Sequence, residues 1–250
     1  MCIFVGELPH VSVAKTRIFA RAIAPGVQAL AYQMTIASAH EVAMVLPLPV
    51  PTRAGEDAVR FISLERHPQM FEELDELFPK VRAPVYEFQI RGELQPTQLV
   101  VHEIGSFIAS YVPSPEDFVR LDPRFRVPEL LFDSAPRYMA YGFAVFQLRP
   151  GQHKIHPMAF TFPTSEPDQL YFPTVHLHDG RFHWEASFDH ALYYQHPRCT
   201  APGRRFGPFG DAVSERYPAS YEGLTAPGQP VLRRWVDGRR PNNDTWIEAE

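Results

Sequence analysis

The sequence predicts an α+β protein that is β-rich, with mainly antiparallel sheets and two or three short helices. Three observations carry that prediction. Several segments alternate apolar and polar residues with a period of two. Proline makes up 26 of the 250 residues, about twice the usual ~5%, and each interrupts a helical hydrogen-bond ladder. Helical spacing with start or stop signals occurs in only two places, both short.

Taken in order, Val27–Ala37 (VQALAYQMTIA) alternates, with Leu30, Tyr32, Met34 and Ile36 on one face, and reads as a strand. Glu41–Pro51 (EVAMVLPLPVP) starts as a buried strand, but Pro47, Pro49 and Pro51 each remove a ladder donor. The expectation there is an edge strand or a polyproline-like arm. In Pro68–Phe78, Met70, Phe71, Leu74, Leu77 and Phe78 fall on one helical face, Pro79 stops the helix, and Glu72, Glu73, Asp75 and Glu76 are expected on the solvated face. Leu99–Val112 and Tyr138–Leu148 are apolar on both faces and contain Gly105 and Gly142, so they read as central strands bent at each glycine. Between them, Ser114-Pro115-Glu116-Asp117 has the capping-box pattern of a second short helix, which Pro123 ends. Further strands are expected at Ile155–Phe162, Leu170–His178 and Phe182–Tyr194.

At 45% hydrophobic and 13% aromatic, the chain has enough apolar surface for a sizeable core. We divide it into a β-rich core domain, residues 1–196, and a Pro/Gly/Arg-rich C-terminal segment, residues 197–250, packed on that core. Trp235, Trp246, Tyr217 and Tyr221 serve as the segment's apolar anchors.

Charge and composition exclude several functions. A net charge of −5 argues against nucleic acid as the partner, although only Lys15, Lys80 and Lys154 among the 24 basic residues are lysines. Gly203-Arg204-Arg205-Phe206-Gly207 is ordinary for a solvated loop. Glu7, Pro9 and His10 break the N-terminal apolar run before signal-peptide length. The longest uncharged stretch, Ala22–Ala39, alternates and is no membrane span. With Cys2 and Cys199 the only cysteines, there is no disulfide framework. The expectation is a cytoplasmic protein with no membrane partner.

The succession of Cys2, VLPLPVP at 45–51, the amphipathic helix, IGSFIASYVPS at 104–114, RYMAYGFAVFQLRPG at 137–151 and IHPMAFTFPTSEPDQLYFPTVHL at 155–177 resembles a bacterial family known only as a domain of unknown function. The similarity covers roughly residues 1–180 and is most specific at Val45–Pro51 and Pro157–Thr174. Members tend to be exported, which this N-terminus does not suggest. The resemblance implies an architecture and no chemistry.

Chemistry is concentrated in one region, where seven of the eleven histidines fall within residues 153–196. In His176-Leu177-His178-Asp179 the two imidazoles at i and i+2 project from one face of a strand and can share a divalent metal such as zinc, iron or manganese. His190 or Asp189 would supply a third ligand if their strand returns beside the first, with His156 or Glu185 as further candidates. The spacing is similar to the HxH of cupin metalloenzymes, without the glutamate that follows there after three or four residues. The bland alternative is that these histidines merely line a sheet surface or cap turns.

Cys2 offers a second chemistry: once Met1 is removed, its α-amine can act as base to its own thiol, as in N-terminal-nucleophile hydrolases. Those with cysteine often begin Met-Cys-Gly, and Ile3 stands here instead; the bland reading is a small apolar residue in a buried strand. GxSxG, GxxxxGK[ST], HExxH and a strand-coupled GxGxxG are absent. The sequence therefore reads as a binding or interaction module for a protein or small-molecule ligand. The alternatives are a metal-dependent enzyme at His176 and His178, and a hydrolase at Cys2.

Overall fold

The computed structural model describes residues 2–6, 11–52, 54–79, 107–201, 205–216 and 218–248. Its strands are β1 (Cys2–Gly6), β2 (Ser12–Ala24), β3 (Val27–Ser38), β4 (Val42–Leu48), β5 (Arg60–Ile62), β6 (Phe107–Val112), β7 (Gly142–Leu148), β8 (Gly151–Lys154), β9 (Met158–Pro163), β10 (Gln169–Phe172), β11 (His176–Leu177), β12 (Glu185–Tyr194), β13 (Ala212–Val213), β14 (Leu232–Pro241) and β15 (Thr245–Glu248). Helix α1 spans Met70–Glu76 and α2 spans Leu130–Ser134. The protein is β-rich, and among the described residues α1 alone reaches seven helical residues.

Two sheets dominate. One has the order β11-β1-β4-β7-β6; the other runs β13-β14-β12-β2-β3-β9-β5, with β8 also on β3. Pairing is antiparallel except for β1 with β11 and β2 with β12. The sheets face each other across the main core, where Phe4, Met44, Leu46 and Phe146 of the first meet Ile18, Leu30, Tyr32, Phe160 and Leu192 of the second. Each sheet is also covered on its far side. Phe118, Phe125, Phe132 and Tyr138 pack over Ile3, Val45 and Phe143, and α1 lays Met70, Phe71 and Leu74 on Phe19, Ala31 and Tyr193. Burial on both faces explains why the central strands read as continuous apolar runs; all seven residues of β4 are buried.

Several expectations are corrected. Strand β4 is central, paired with β7 from Val42 to Leu48. It tolerates Pro47 because its pairing with β1 among the described residues covers only Val42–Val45. Gly142 bends no strand: it begins β7, where a Cβ would run into the Tyr111 ring. Tyr138 lies in a 3₁₀ turn, Pro136–Ala140, before it. Ser114 opens a 3₁₀ segment, Pro115–Arg120, and its hydroxyl donates to the Asp117 carboxylate at 2.9 Å without capping the backbone. The segment expected as one strand over Leu170–His178 is two, β10 on β15 and β11 on β1, parted by Pro173. Likewise Phe182–Trp184 belongs to a loop and β12 begins at Glu185. Leu99–Ser106, with Gly105, lies outside the described residues.

The acidic side of α1 is solvated only in part: Glu73 and Glu76 are exposed, whereas Glu72 and Asp75 are half-buried in ion pairs. Glu72 pairs with Arg17 at 2.6 Å and Lys154 at 2.8 Å; Asp75 pairs with Arg17 at 2.9 Å and Arg233 at 3.5 Å and accepts the Tyr193 hydroxyl. The helix is held to the second sheet by apolar residues on one side and by ion pairs on the other.

C-terminal residues are woven into the same framework. β14 pairs with β12 along all ten residues and β15 pairs with β10. Among the described residues the longest strand is β2, with 13 residues. Its alternation is broken by a bulge between Ala14 and Arg17, where Lys15 sits at φ 56°.

Leu177, 3% exposed, points away from its histidine neighbours into the core beneath Phe143 and Val175. Leu177→Ala is expected to cost about 2 to 3 kcal/mol, read as a lowered urea midpoint with an unchanged slope. A loss below about 0.5 kcal/mol would mean that β11 is not packed as described.

Candidate functional site

At one corner of the molecule the two sheets meet through imidazoles. β11 is the edge of the first sheet, and the period-2 course of the chain turns Leu177 into the core on that sheet's far side while His176, and His178 just past the strand, face the second sheet. Their rings stack with centroids 4.8 Å apart and 23° between planes. From the second sheet β12 sends in Phe188 and the fully buried His190. His176 Nε2 lies 2.7 Å from His190 Nε2. Phe188 packs against His176 at 4.6 Å, and Phe4 meets His178 edge-on at 5.4 Å.

Burial in this aromatic setting keeps the imidazoles neutral. The pKa of His176 is lowered to about 3 by desolvation and then by His178. That of His178 is lowered to about 4 by desolvation, partly opposed by Asp179. His190 is pushed well below the ordinary histidine range by its complete burial and by the other two rings. Between neutral rings one Nε2 donates and the other accepts. His190 Nδ1 and His178 Nε2 are buried without a hydrogen-bond partner. Two orphaned imidazole nitrogens beside one hydrogen bond are unusual in a folded interior.

The remaining expected ligands are elsewhere. Asp189 lies on the opposite face of β12, where its carboxylate accepts the Lys15 backbone N–H at 2.6 Å and braces the β2 bulge. His156 packs against Phe107 of β6, at the far edge of the first sheet and four strand spacings, roughly 19 Å, from β11. Glu185 pairs with Arg239 at 2.8 Å on the surface. Among the described residues, no group of three or more His, Cys, Asp or Glu side chains is arranged to hold a metal ion as it stands. Cys2 pairs through its backbone with His176 in the parallel β1–β11 ladder, which brings the two sequence motifs to one corner.

No protein-family model matches the chain, and no curated protein does. Its likeness is to solved structures of baculovirus P35. The crystal structure of baculovirus P35 is 13% identical, with 99% of each chain covered and a TM-score of 0.49. P35 in the caspase-8/P35 complex is also 13% identical, covering 94% of this chain and 96% of that one, with a TM-score of 0.43. A mutated P35 after caspase cleavage is 12% identical with a TM-score of 0.47.

Beside the histidine corner, the loop from His178 to Trp184 presents an exposed tryptophan that the sequence pattern did not mark. Asn242, buried at 1% exposure, donates its Nδ2 to the carbonyls of His176 and His183 at 2.8 and 2.9 Å. Its Oδ1 accepts the His176 N–H at 2.7 Å and its own N–H donates to Trp184 O at 2.9 Å. Within the loop, Asp179 accepts from Arg181 N at 3.1 Å and meets His183 Nε2 at 2.9 Å. On this braced backbone stands Trp184, 82% exposed, with Phe182 edge-on to it at 5.5 Å. The sequence pattern placed Phe182–Trp184 within a strand, and no local period marks the loop. Among the described residues, no helix is long and apolar enough to cross a membrane.

Proposed function

We propose that this chain is a binding module that takes a protein partner through the aromatic loop at Phe182–Trp184, as a cytoplasmic protein of bacterial origin. The observation that carries the reading is Trp184, 82% exposed on a loop fixed at both ends by Asn242. Exposing an indole contributes nothing to folding, whereas a rigidly presented tryptophan is a strong interface anchor: little conformational freedom is lost when it enters a partner's pocket. Arg181 and His183 flank it, exposed, and supply the polar rim such interfaces have. The partner is accordingly a protein with an apolar pocket large enough for an indole.

The test is quantitative capture from the native source by the parent, by Trp184→Ser and by Trp235→Ser as a control, with sedimentation of the pure protein to score self-association. A saturable partner retained by the parent and the control, and reduced at least tenfold by Trp184→Ser, supports the reading; one retained equally by all three overturns it. Trp184 fluorescence should shift to the blue when the purified partner is added.

A further inference from the structure

We propose that the inter-sheet imidazole corner, His176, His178 and His190, is a binding site for one divalent metal ion of the zinc class. The site is built from three converging facts. Two imidazoles from different sheets already bring their Nε2 atoms to 2.7 Å. A third ring lies stacked on the first, and its Nε2 is buried with nothing to bond. The walls are the rings of Phe4 and Phe188, which give the low-dielectric, water-poor surround in which a cation held by neutral ligands gains most.

Binding requires the three rings to rearrange from the contacts they make here. Nitrogens at ~2.1 Å from a tetrahedral zinc lie roughly 3.4 Å apart, so the His176–His190 contact opens by about 0.7 Å. Two such bonds reach at most ~4.2 Å across the ion, so the His178 ring, stacked on His176 with 23° between planes, must turn out of that stack for its Nε2 to point at the same ion. Both changes are side-chain motions about χ1 and χ2. A fourth position is left for water. An all-imidazole donor set selects zinc, copper or nickel over magnesium, calcium or manganese, which prefer oxygen; Asp189 and Glu185 face elsewhere, so the oxygen ligands those hard ions need are not supplied. Of the third ligands the sequence offered, the proposal keeps His190 and drops Asp189, His156 and Glu185, which leaves three imidazoles from two sheets and no carboxylate.

The experiment is titration of untagged, chelator-stripped protein with Zn²⁺ by calorimetry, and with Co²⁺ by absorption, in a non-chelating buffer at pH 7.5. The expected result is one equivalent of Zn²⁺ and cobalt d–d bands of tetrahedral intensity. His176→Gln and His178→Gln should each weaken binding at least tenfold, while His156→Gln and Trp184→Ser bind like the parent. His190→Gln is included with circular dichroism as a folding check; if it does not fold, the two rim variants decide. Absence of stoichiometric binding in the parent, or undiminished binding in the folded His176→Gln, His178→Gln double variant, would overturn the site.

Discussion

Chelator-treated protein is expected to lose stability as pH falls from 6.5 toward 4, because the buried imidazole of His190 and the largely buried ones of His176 and His178 must be neutral in the fold. Unfolded histidine titrates near 6.5, whereas His176 and His178 are lowered to about 3 and about 4 in the folded chain and His190 lies below its usual range. The unfolded chain therefore binds more protons throughout that window. Stability is complete above pH 6.5 and drains away as pH falls toward the folded values. At pH 5 each fully neutral imidazole accounts for about 2 kcal/mol. The sum is bounded between about 2 and 6 kcal/mol, since a single proton shared by His176 and His190 relieves part of the penalty and repels the next. Against a total stability of about 5 to 15 kcal/mol this is enough to unfold a marginal domain. Urea midpoints at pH 7.5, 6.0 and 5.0 measure it; the His176→Gln, His178→Gln variant should show a visibly flatter dependence. A parent whose midpoint is unchanged between pH 7.5 and 5 would contradict the burial of the corner.

Asp211→Ala is expected to cost about 3 to 5 kcal/mol, the range for removing one partner of a buried ion pair. Asp211 is 4% exposed. It accepts Arg234 Nε at 2.9 Å and Nη2 at 2.6 Å in a two-point clasp, and also the Tyr194 hydroxyl at 2.5 Å. Removing the carboxylate strands a guanidinium whose side chain is 14% exposed and a hydroxyl that burial keeps protonated. Most of the loss comes from those orphaned groups. An Asp211→Leu, Arg234→Met double variant should therefore recover a substantial part of it. Thermal and urea unfolding of the three proteins provide the comparison. A single variant within about 1 kcal/mol of the parent would show that the clasp is solvated and of little consequence.

How far each feature could be read from the chain depended on whether its cause was local. Alternation over Val27–Ala37 identified β3 because each residue's face is set by its immediate neighbours. The spacing of Met70, Phe71 and Leu74, with Pro79 beyond, identified α1 for the same reason. In β2, the bulge at Lys15 puts the residues on either side of it out of phase, so a 13-residue strand lost its signature. β14, with Arg233, Arg234, Asp237, Arg239 and Arg240 in ten residues, reads as a loop until pairing with β12 supplies its hydrogen bonds.

The histidine corner divides the same way. That His176 and His178 share a face opposite to Leu177 follows from strand geometry over three residues, and the sequence by itself determined it. Which residue would stand opposite them was decided only by the crossing of the two sheets. Asp189 and His190 are adjacent in sequence and point to opposite faces of β12, so the tertiary placement of that strand alone brought the imidazole inward and left the carboxylate on the Lys15 bulge. The exposure of Trp184 and the anchoring of its loop by Asn242, 58 positions later, are likewise products of the β12–β14 pairing. Local pattern fixes which face a side chain takes; what it meets there depends on chain segments far away in sequence, whose approach no short-range period encodes.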